Sequence, residues 1–405
     1  MLDRPKQHHL DRGLEITHQI ETGARSRSPV AAWRLAELMH QARRDVESGV
    51  LPACQIAVAR DGELLMSATY DRDRGELQGD APRFCVFSIT KPFVSGVVWQ
   101  LIDEGTIALG DRVADVIPEF ATNGKEVVTL EQLLTHTAGF PNAPLAPDLW
   151  NDRQGRVRRF GSWRLDREPG TGYAYHATSA HWVLAELIDR LTGDDFRTAV
   201  KQRILDPIGL RRFQLGVPPG QQADIYRIES VGVPPDPDAL EERLGIRELP
   251  REVTDEALLR FNEPEARQAG VPGAGGVSTA ADVAMFYQEL NLNSRRLWSA
   301  ELLHDVRANI RVTMPDPMVG VAANRTIGLI VKGDDGLGHK RHSMGRTTSA
   351  RTFGHSGAGG QIAWADPETG LSFCYLVCGL DRDVLSMGRR SSELSTKAGA
   401  LLKDR

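Results

Sequence analysis

Ser88 and Lys91 stand three residues apart in the stretch PRFCVFSITKPF, which runs from Pro82 to Phe93. The chain uses arginine forty-one times and lysine eight times, so a lysine at this point calls for a reason. Arginine keeps its proton in a protein, whereas lysine loses it when its surroundings disfavour the charge. A serine hydroxyl is a weak nucleophile and needs an adjacent base. Ser88 with Lys91 therefore has the composition of an activated nucleophile. Spacing alone is a weak signal: twenty serines and eight lysines give about 0.4 such pairs by chance.

The elements around the pair strengthen the signal. After Ser88, the residues Phe93, Val94, Val97, Val98, Leu101 and Ile102 recur at helical spacing, and Gly105 ends the run. Pro92 fits only if the helix begins close to Ser88, where N–H groups lack partners anyway. That places Ser88 at a helix N-terminus with Lys91 one turn along the same face. Free N–H groups and the helix dipole there favour developing negative charge.

Other segments supply the frame. Ser28-Pro29 opens a helical pattern with Trp33, Leu35, Leu38, Met39, Ala42 and Val46 in one apolar stripe. CQIAVARDGELLMSATYD predicts two strands joined at Asp61-Gly62. Thr129 and Gln132 form a capping-box signature, HWVLAELIDRLTG is an amphipathic helix, and Ser278 or Thr279 caps TAADVAMFYQEL. SVGVPPDPDALEERLG is a proline-rich excursion with a short helix. RTIGLIVKG predicts a strand, and GHSGAGGQIAWADPETGLSFCYLV predicts two more, joined by Asp-Pro-Glu-Thr-Gly. LSTKAGALLKD predicts a closing helix. Strands at both ends with helices between them imply an α+β fold. An antiparallel β-sheet is built from both termini and flanked by helices, with a mainly α-helical region inserted. The expected division is a polar tail over 1–28, a sheet domain over 29–117 plus 296–405, and a helical domain over 118–295.

Composition excludes several classes. Hydrophobic residues at 41% and charged residues at 25% match an ordinary globular chain. A net charge of −5 gives no electrostatic case for nucleic acid or an anionic membrane. No stretch approaches the roughly 18 apolar residues of a membrane span. The first residues, MLDRPKQHHLDRGLEITHQ, lack a signal-peptide core, so the expected location is cytoplasmic. Cys374 and Cys378 lie four apart in a strand-like run, about 13 Å between Cα atoms, beyond the reach of a disulfide. With Cys54 and Cys85 they are expected to be reduced structural thiols. No histidine spacing completes a metal site, and His8-His9 reads as solvated tail. No cofactor is expected.

FSITK, LLTHTAGF, PGTGYAY, ILDPIGL, GAGGVSTAADVA and GHSGAGGQIAWADPETG occur in one order along the chain. Together they resemble the serine β-lactamase superfamily of the class C type, which includes D-alanyl-D-alanine carboxypeptidases and family VIII carboxylesterases. The likeness covers roughly residues 30 to 400. It implies that Ser88 is acylated, with Lys91 as the lysine of S-x-x-K. It puts the tyrosine of Y-x-N on Tyr175, with Tyr173 as a packing residue. The K-T-G motif becomes His355-Ser356-Gly357, and the oxyanion hole falls to the N–H groups of Ser88 and Ala358. Gly357, Gly359 and Gly360 remove side chains where a substrate must approach the strand. His136 and His181 read as structural.

Two departures bear on substrate. Tyr175-His176-Ala177 has alanine where the family's asparagine contacts a substrate amide, and His355 replaces the K-T-G lysine. A lysine there is a fixed charge for a substrate carboxylate; histidine is only partly charged near neutral pH. Both changes resemble the esterase branch, so the expected substrate is a small-molecule ester carrying a short acyl chain. A β-lactamase or D-amino-acid peptidase acting on an amide is the alternative, and an inactive scaffold of the same fold is a further one. GHSGAG also resembles the nucleophile elbow of α/β-hydrolases, which would make Ser356 the nucleophile. That fold needs a histidine after the serine, and the last histidine is His355.

Overall fold

Asp61 and Gly62 both take positive φ, +53° and +87°, closing a two-residue hairpin between β1 (Ala53–Arg60) and β2 (Glu63–Asp71). This hairpin is half of the main sheet. The computed structural model describes residues 30–402, except 78–81, 245–246, 248–253 and 342. The expected tail, with His8-His9, lies outside the described residues. After β2 come β3 (Gly75–Leu77), β4 (Phe84–Cys85), β5 (Gln214–Leu215), β6 (Glu229–Val231) and β7 (Gly276–Ser278). The later strands are β8 (Ile330–Val331), β9 (Phe353–Gly357), β10 (Gln361–Asp366), β11 (Leu371–Val377) and β12 (Gly379–Asp381).

The main sheet has seven strands in the order β3-β2-β1-β11-β10-β9-β8, all pairs antiparallel. It joins the two ends of the chain as the strand pattern predicts: Cys54 lies opposite Val377, and Ile56 opposite Tyr375. Two small sheets sit apart, β4-β7-β5 and the parallel pair β12-β6.

Side-chain alternation splits the main sheet into two buried faces. Ile56, Val58, Ile362, Trp364, Phe373 and Tyr375 form one, covered by α1 (Ala32–Glu47) and the terminal helix. Leu35, Leu38, Ala42 and Val46 of α1 are buried there, while Trp33, counted in the stripe, is 45% exposed. The other face is built from small residues, Ala57, Ala59, Ala363, Ala365 and Cys374, so helices approach closely. The same core holds α2 (Lys91–Asp103), α3 (Leu130–Leu134), α4 (Ser179–Thr192) and α5 (Ala280–Leu292), of which α5 packs directly on β1, β10 and β11. Gln288 of α5 donates to Ala59 O at 3.2 Å, Gly370 O at 3.0 Å and Ser372 Oγ at 2.9 Å, so it satisfies polar groups inside this layer. Packing on the sheet thus reaches back across the boundary expected at 295.

The capping box at Thr129 and Gln132 forms, and Thr279, not Ser278, caps α5 by accepting from Asp282 N. Two expectations differ. RTIGLIVKG yields only the short β8, because Thr326 to Gly328 turns sharply, with Gly328 at φ +115°. After α6 (Ala300–Ala308), the closing helix is α7 (Val384–Gly399), which begins well before Leu394. Asp383 caps it through the N–H groups of Leu385 and Ser386, and its first half is only half-buried, with the fully buried positions starting at Ser391. All four cysteines are buried and unpaired.

Candidate active site

Ser88 lies in a 3₁₀ turn, Phe87–Thr90, that runs directly into α2 at Lys91. Early N–H groups of such a turn have no preceding carbonyl to bond. Phe87 takes φ +45°, a region costly for a bulky residue, immediately before the nucleophile. Three contacts hold the turn. Val86 N donates to Gly276 O at 2.9 Å, Gly276 N donates to Thr90 Oγ1 at 2.9 Å, and Gln361 donates to Cys85 O at 2.9 Å. A side chain at Gly276 would come within 2.7 Å of Thr90 Oγ1, so glycine lets β7 close on the turn.

Lys91 is buried, with Nζ 3.1 Å from Ser88 Oγ. Nζ also donates to Ala177 O at 2.7 Å and Gly273 O at 2.8 Å. Burial, with a lesser push from Arg325, holds its pKa well below the ordinary lysine range. A free amine has two N–H groups and one lone pair. Two carbonyls take the N–H groups, and the lone pair is left for the Ser88 hydroxyl. Ala177 replaces the expected asparagine, yet its backbone carbonyl anchors the lysine.

Tyr175 brings its ring within 4.9 Å of Lys91 Nζ, as ring centroid to nitrogen. Burial pushes its phenol up to about 12, with Arg325 and Ser88 pulling the other way. Ser88 is thus close enough to act on the phenol, although no aligned hydrogen bond joins them and Tyr175 Oη is buried without a partner.

His355 is buried on β9, its ring 6.2 Å from that of Tyr175. Its Nδ1 is 2.7 Å from Ser356 O and its Nε2 is 3.3 Å from Arg325 Nη1. Arginine only donates, so Nε2 accepts and Nδ1–H donates: the network assigns a neutral tautomer. Gly357 lets β9 press on the nucleophile turn, since a side chain there would lie 2.7 Å from Val86 O. Ala358 then opens a 3₁₀ turn, so its N–H lacks a preceding helical partner. The fold thus brings Ser88, Lys91, Tyr175, His355, Gly357 and Ala358 to one place from three segments of chain. Ser356 lies on the same strand, where its carbonyl accepts from His355.

Sequence reasoning missed Arg325. It is 1% exposed, and its Nε donates to Tyr173 Oη at 3.0 Å. One arginine among forty-one carries no motif; the available signal was a charge heading an apolar run, Arg325-Thr326-Ile327-Gly328-Leu329-Ile330-Val331. His136, His176 and His181 pack behind Tyr175, and burial lowers the pKa of all three, His176 to about 4. Two surface cavities, of about 200 and 400 Å³, are lined by none of these residues. Among the described residues no cluster of His, Cys, Asp and Glu is placed to hold a metal ion.

The beta-lactamase family model matches residues 37–392. The chain belongs to the beta-lactamase family. "Esterase/beta-lactamase LipL" of Mycobacterium tuberculosis is 29% identical over 306 residues, 71% of this chain and 67% of that protein. "Esterase EstB" of Burkholderia gladioli is 29% identical over 296 residues, 65% of this chain and 70% of that protein. Among solved structures, a penicillin-binding protein homologue from Caulobacter crescentus superposes with a TM-score of 0.74 at 26% identity, covering 94% of this chain and all of that one. A family VIII carboxylesterase gives a TM-score of 0.72 at 24% identity, covering 90% of this chain and 97% of that one, and shares the fold. This member of the family is a serine hydrolase.

Proposed function

We propose that the protein hydrolyses short acyl esters through an acyl-enzyme on Ser88. The observation that carries this reading is the Lys91 amine, held by two carbonyls with its third direction on Ser88 Oγ. Ser88 Oγ bonds to the ester carbonyl carbon and its proton passes to Lys91 Nζ. The N–H groups of Ser88 and Ala358 take the charge that develops on the carbonyl oxygen, a contribution worth about 3 to 4 kcal/mol per donor. The bond to the alkoxy group then breaks. Tyr175 gives its proton to the departing oxygen and recovers one from Lys91. Water attacks the acyl carbon by the same route in reverse, returning the proton to Ser88 and releasing the acid.

An ester, rather than an amide or β-lactam, is supported by what the site lacks. Ala177 has no side-chain amide for a substrate amide. His355 has both ring nitrogens engaged and offers no fixed charge for a substrate carboxylate. The names of the two relatives agree with an esterase.

A fluorophosphonate probe tests the reading. We expect one adduct, mapped by mass spectrometry to Ser88 and absent in Ser88→Ala. We also expect p-nitrophenyl butyrate to exceed nitrocefin in kcat/KM. An adduct on Ser356 would overturn the mechanism; nitrocefin as the better substrate would put the β-lactamase reading in its place.

A further inference from the structure

Among the described residues, Arg325 is buried without an acidic partner. Its side chain meets a phenol, Tyr173 Oη, at 3.0 Å and an imidazole, His355 Nε2, at 3.3 Å. Its Nη2 is buried and bonds to nothing. The guanidinium lies over two rings, 5.7 Å from the centroid of Tyr173 and 5.1 Å from that of Tyr175. Cation–π contact offsets part of the desolvation cost, but a buried charge ordinarily has an ion pair. This one has none among the described residues, so its field falls on its neighbours.

Backbone bonds fix the residue from both sides. Arg325 N donates to Val312 O at 3.1 Å, and Arg311 N donates to Arg325 O at 2.8 Å. The side chain projects from a braced segment into the space between Tyr173, Tyr175 and His355. It is as deeply buried as Lys91 and His355.

We propose that Arg325 is a positioning residue for Ser88 and Lys91: a permanent buried cation that locks His355 in its Nδ1–H tautomer and, sharing the Tyr175 ring with Lys91, adds to burial in opposing a second charge there. The inference rests on the reading of Lys91 as the base. The ionisable groups around Lys91 support it. Tyr175 presents its ring to the ammonium position. His136, His176 and His181 face it from the turn after α3, the Tyr175 segment and α4, and burial keeps all three neutral. Asp316, the acid whose field reaches the two phenols, is not bonded to Arg325. Arg325 is therefore the one fixed charge among these groups that can oppose a second cation on Lys91.

The expected consequence is a shift in a pH profile, which a merely structural arginine would not produce. Lys91 must be unprotonated to act, so activity is lost as pH falls through its pKa. Removing the Arg325 charge raises that pKa. Arg325→Met should move the acid limb of kcat/KM for a p-nitrophenyl ester upward by about one pH unit or more. Activity at the foot of the limb would drop about tenfold per unit and recover at higher pH. Arg325→Lys keeps the charge and should keep the limb near its wild-type position. A Met variant with equal losses at every pH, or with an unmoved limb, would overturn the proposal. Nitrogen-15 NMR of the wild-type imidazoles needs no variant: His355 should show a protonated Nδ1 and an accepting Nε2, and the opposite tautomer also overturns it. Failure of Ser88 labelling would instead strike the acyl-enzyme reading and leave the tautomer result standing.

Discussion

Lys91 Nζ has three oxygen neighbours, and only one, Ser88 Oγ, can give it a proton. Burial makes the charged form costly, so the pocket selects the neutral amine. Arginine cannot supply that state, which accounts for a lysine in an arginine-rich chain. Lys91→Arg and the neutral, similarly shaped Lys91→Met should both lose about a hundredfold to ten-thousandfold in kcat/KM while remaining folded by circular dichroism. Met controls for crowding, because the pocket is tight: a side chain at Gly273 would lie 3.3 Å from Nζ. An Arg variant with near wild-type turnover would show that charge alone suffices. Tyr175, pushed up to about 12, stays a phenol through neutral pH and keeps a proton for the leaving group.

At the scale of elements, the site depends on β9 closing onto the turn that carries Ser88. Glycine at 357 permits that approach. Gly357→Ala would set a methyl group 2.7 Å from Val86 O, a distance that real contacts do not reach. The strand must move away, and the Ala358 N–H moves with it. We expect kcat to fall about a hundredfold to a thousandfold, the loss typical of one oxyanion donor, with KM changed far less. Stability should drop by about 1 to 3 kcal/mol from overpacking. Steady-state kinetics beside urea unfolding separates the two, and an Ala variant with unchanged kcat would remove Ala358 from the oxyanion role.

The whole molecule is a sheet buried on both faces, and the face away from the site still matters. Leu394 of α7 is fully buried against the layer that holds Trp364 and Phe373. The same helix reaches the turn after β9, where Ser391 Oγ donates to Gly360 O at 2.5 Å. Leu394→Ala should cost about 2 to 5 kcal/mol of unfolding free energy. Turnover per folded molecule should stay near wild type, since the leucine lies on the opposite face from Ser88. Urea unfolding with active-site titration checks both halves. A large fall in kcat without loss of stability would mean that α7 sets the oxyanion turn more directly than packing implies.

Much was legible in the chain itself. The Asp61-Gly62 hairpin, the caps at Thr129 and Thr279, and the helix after Ser88 depend on backbone preferences that short sequences carry. The joining of both termini in one sheet followed from where the apolar runs fell. Ser88, Lys91 and Tyr175 stood out as candidates because each sits in a motif. Local pattern did not disclose the early start of α7, whose first turns are only half-buried, or the shortening of β8 by the turn at Gly328. Tertiary structure alone decided the rest. Lys91 is anchored by the carbonyls of Ala177 and Gly273, and backbone atoms leave no mark on residue identity. Arg325 became part of the site because a strand bridge carried it behind Tyr175 and His355. The sequence determined which groups are candidates to react. Burial and long-range contacts decided their protonation, because a pKa follows from what surrounds a group in space.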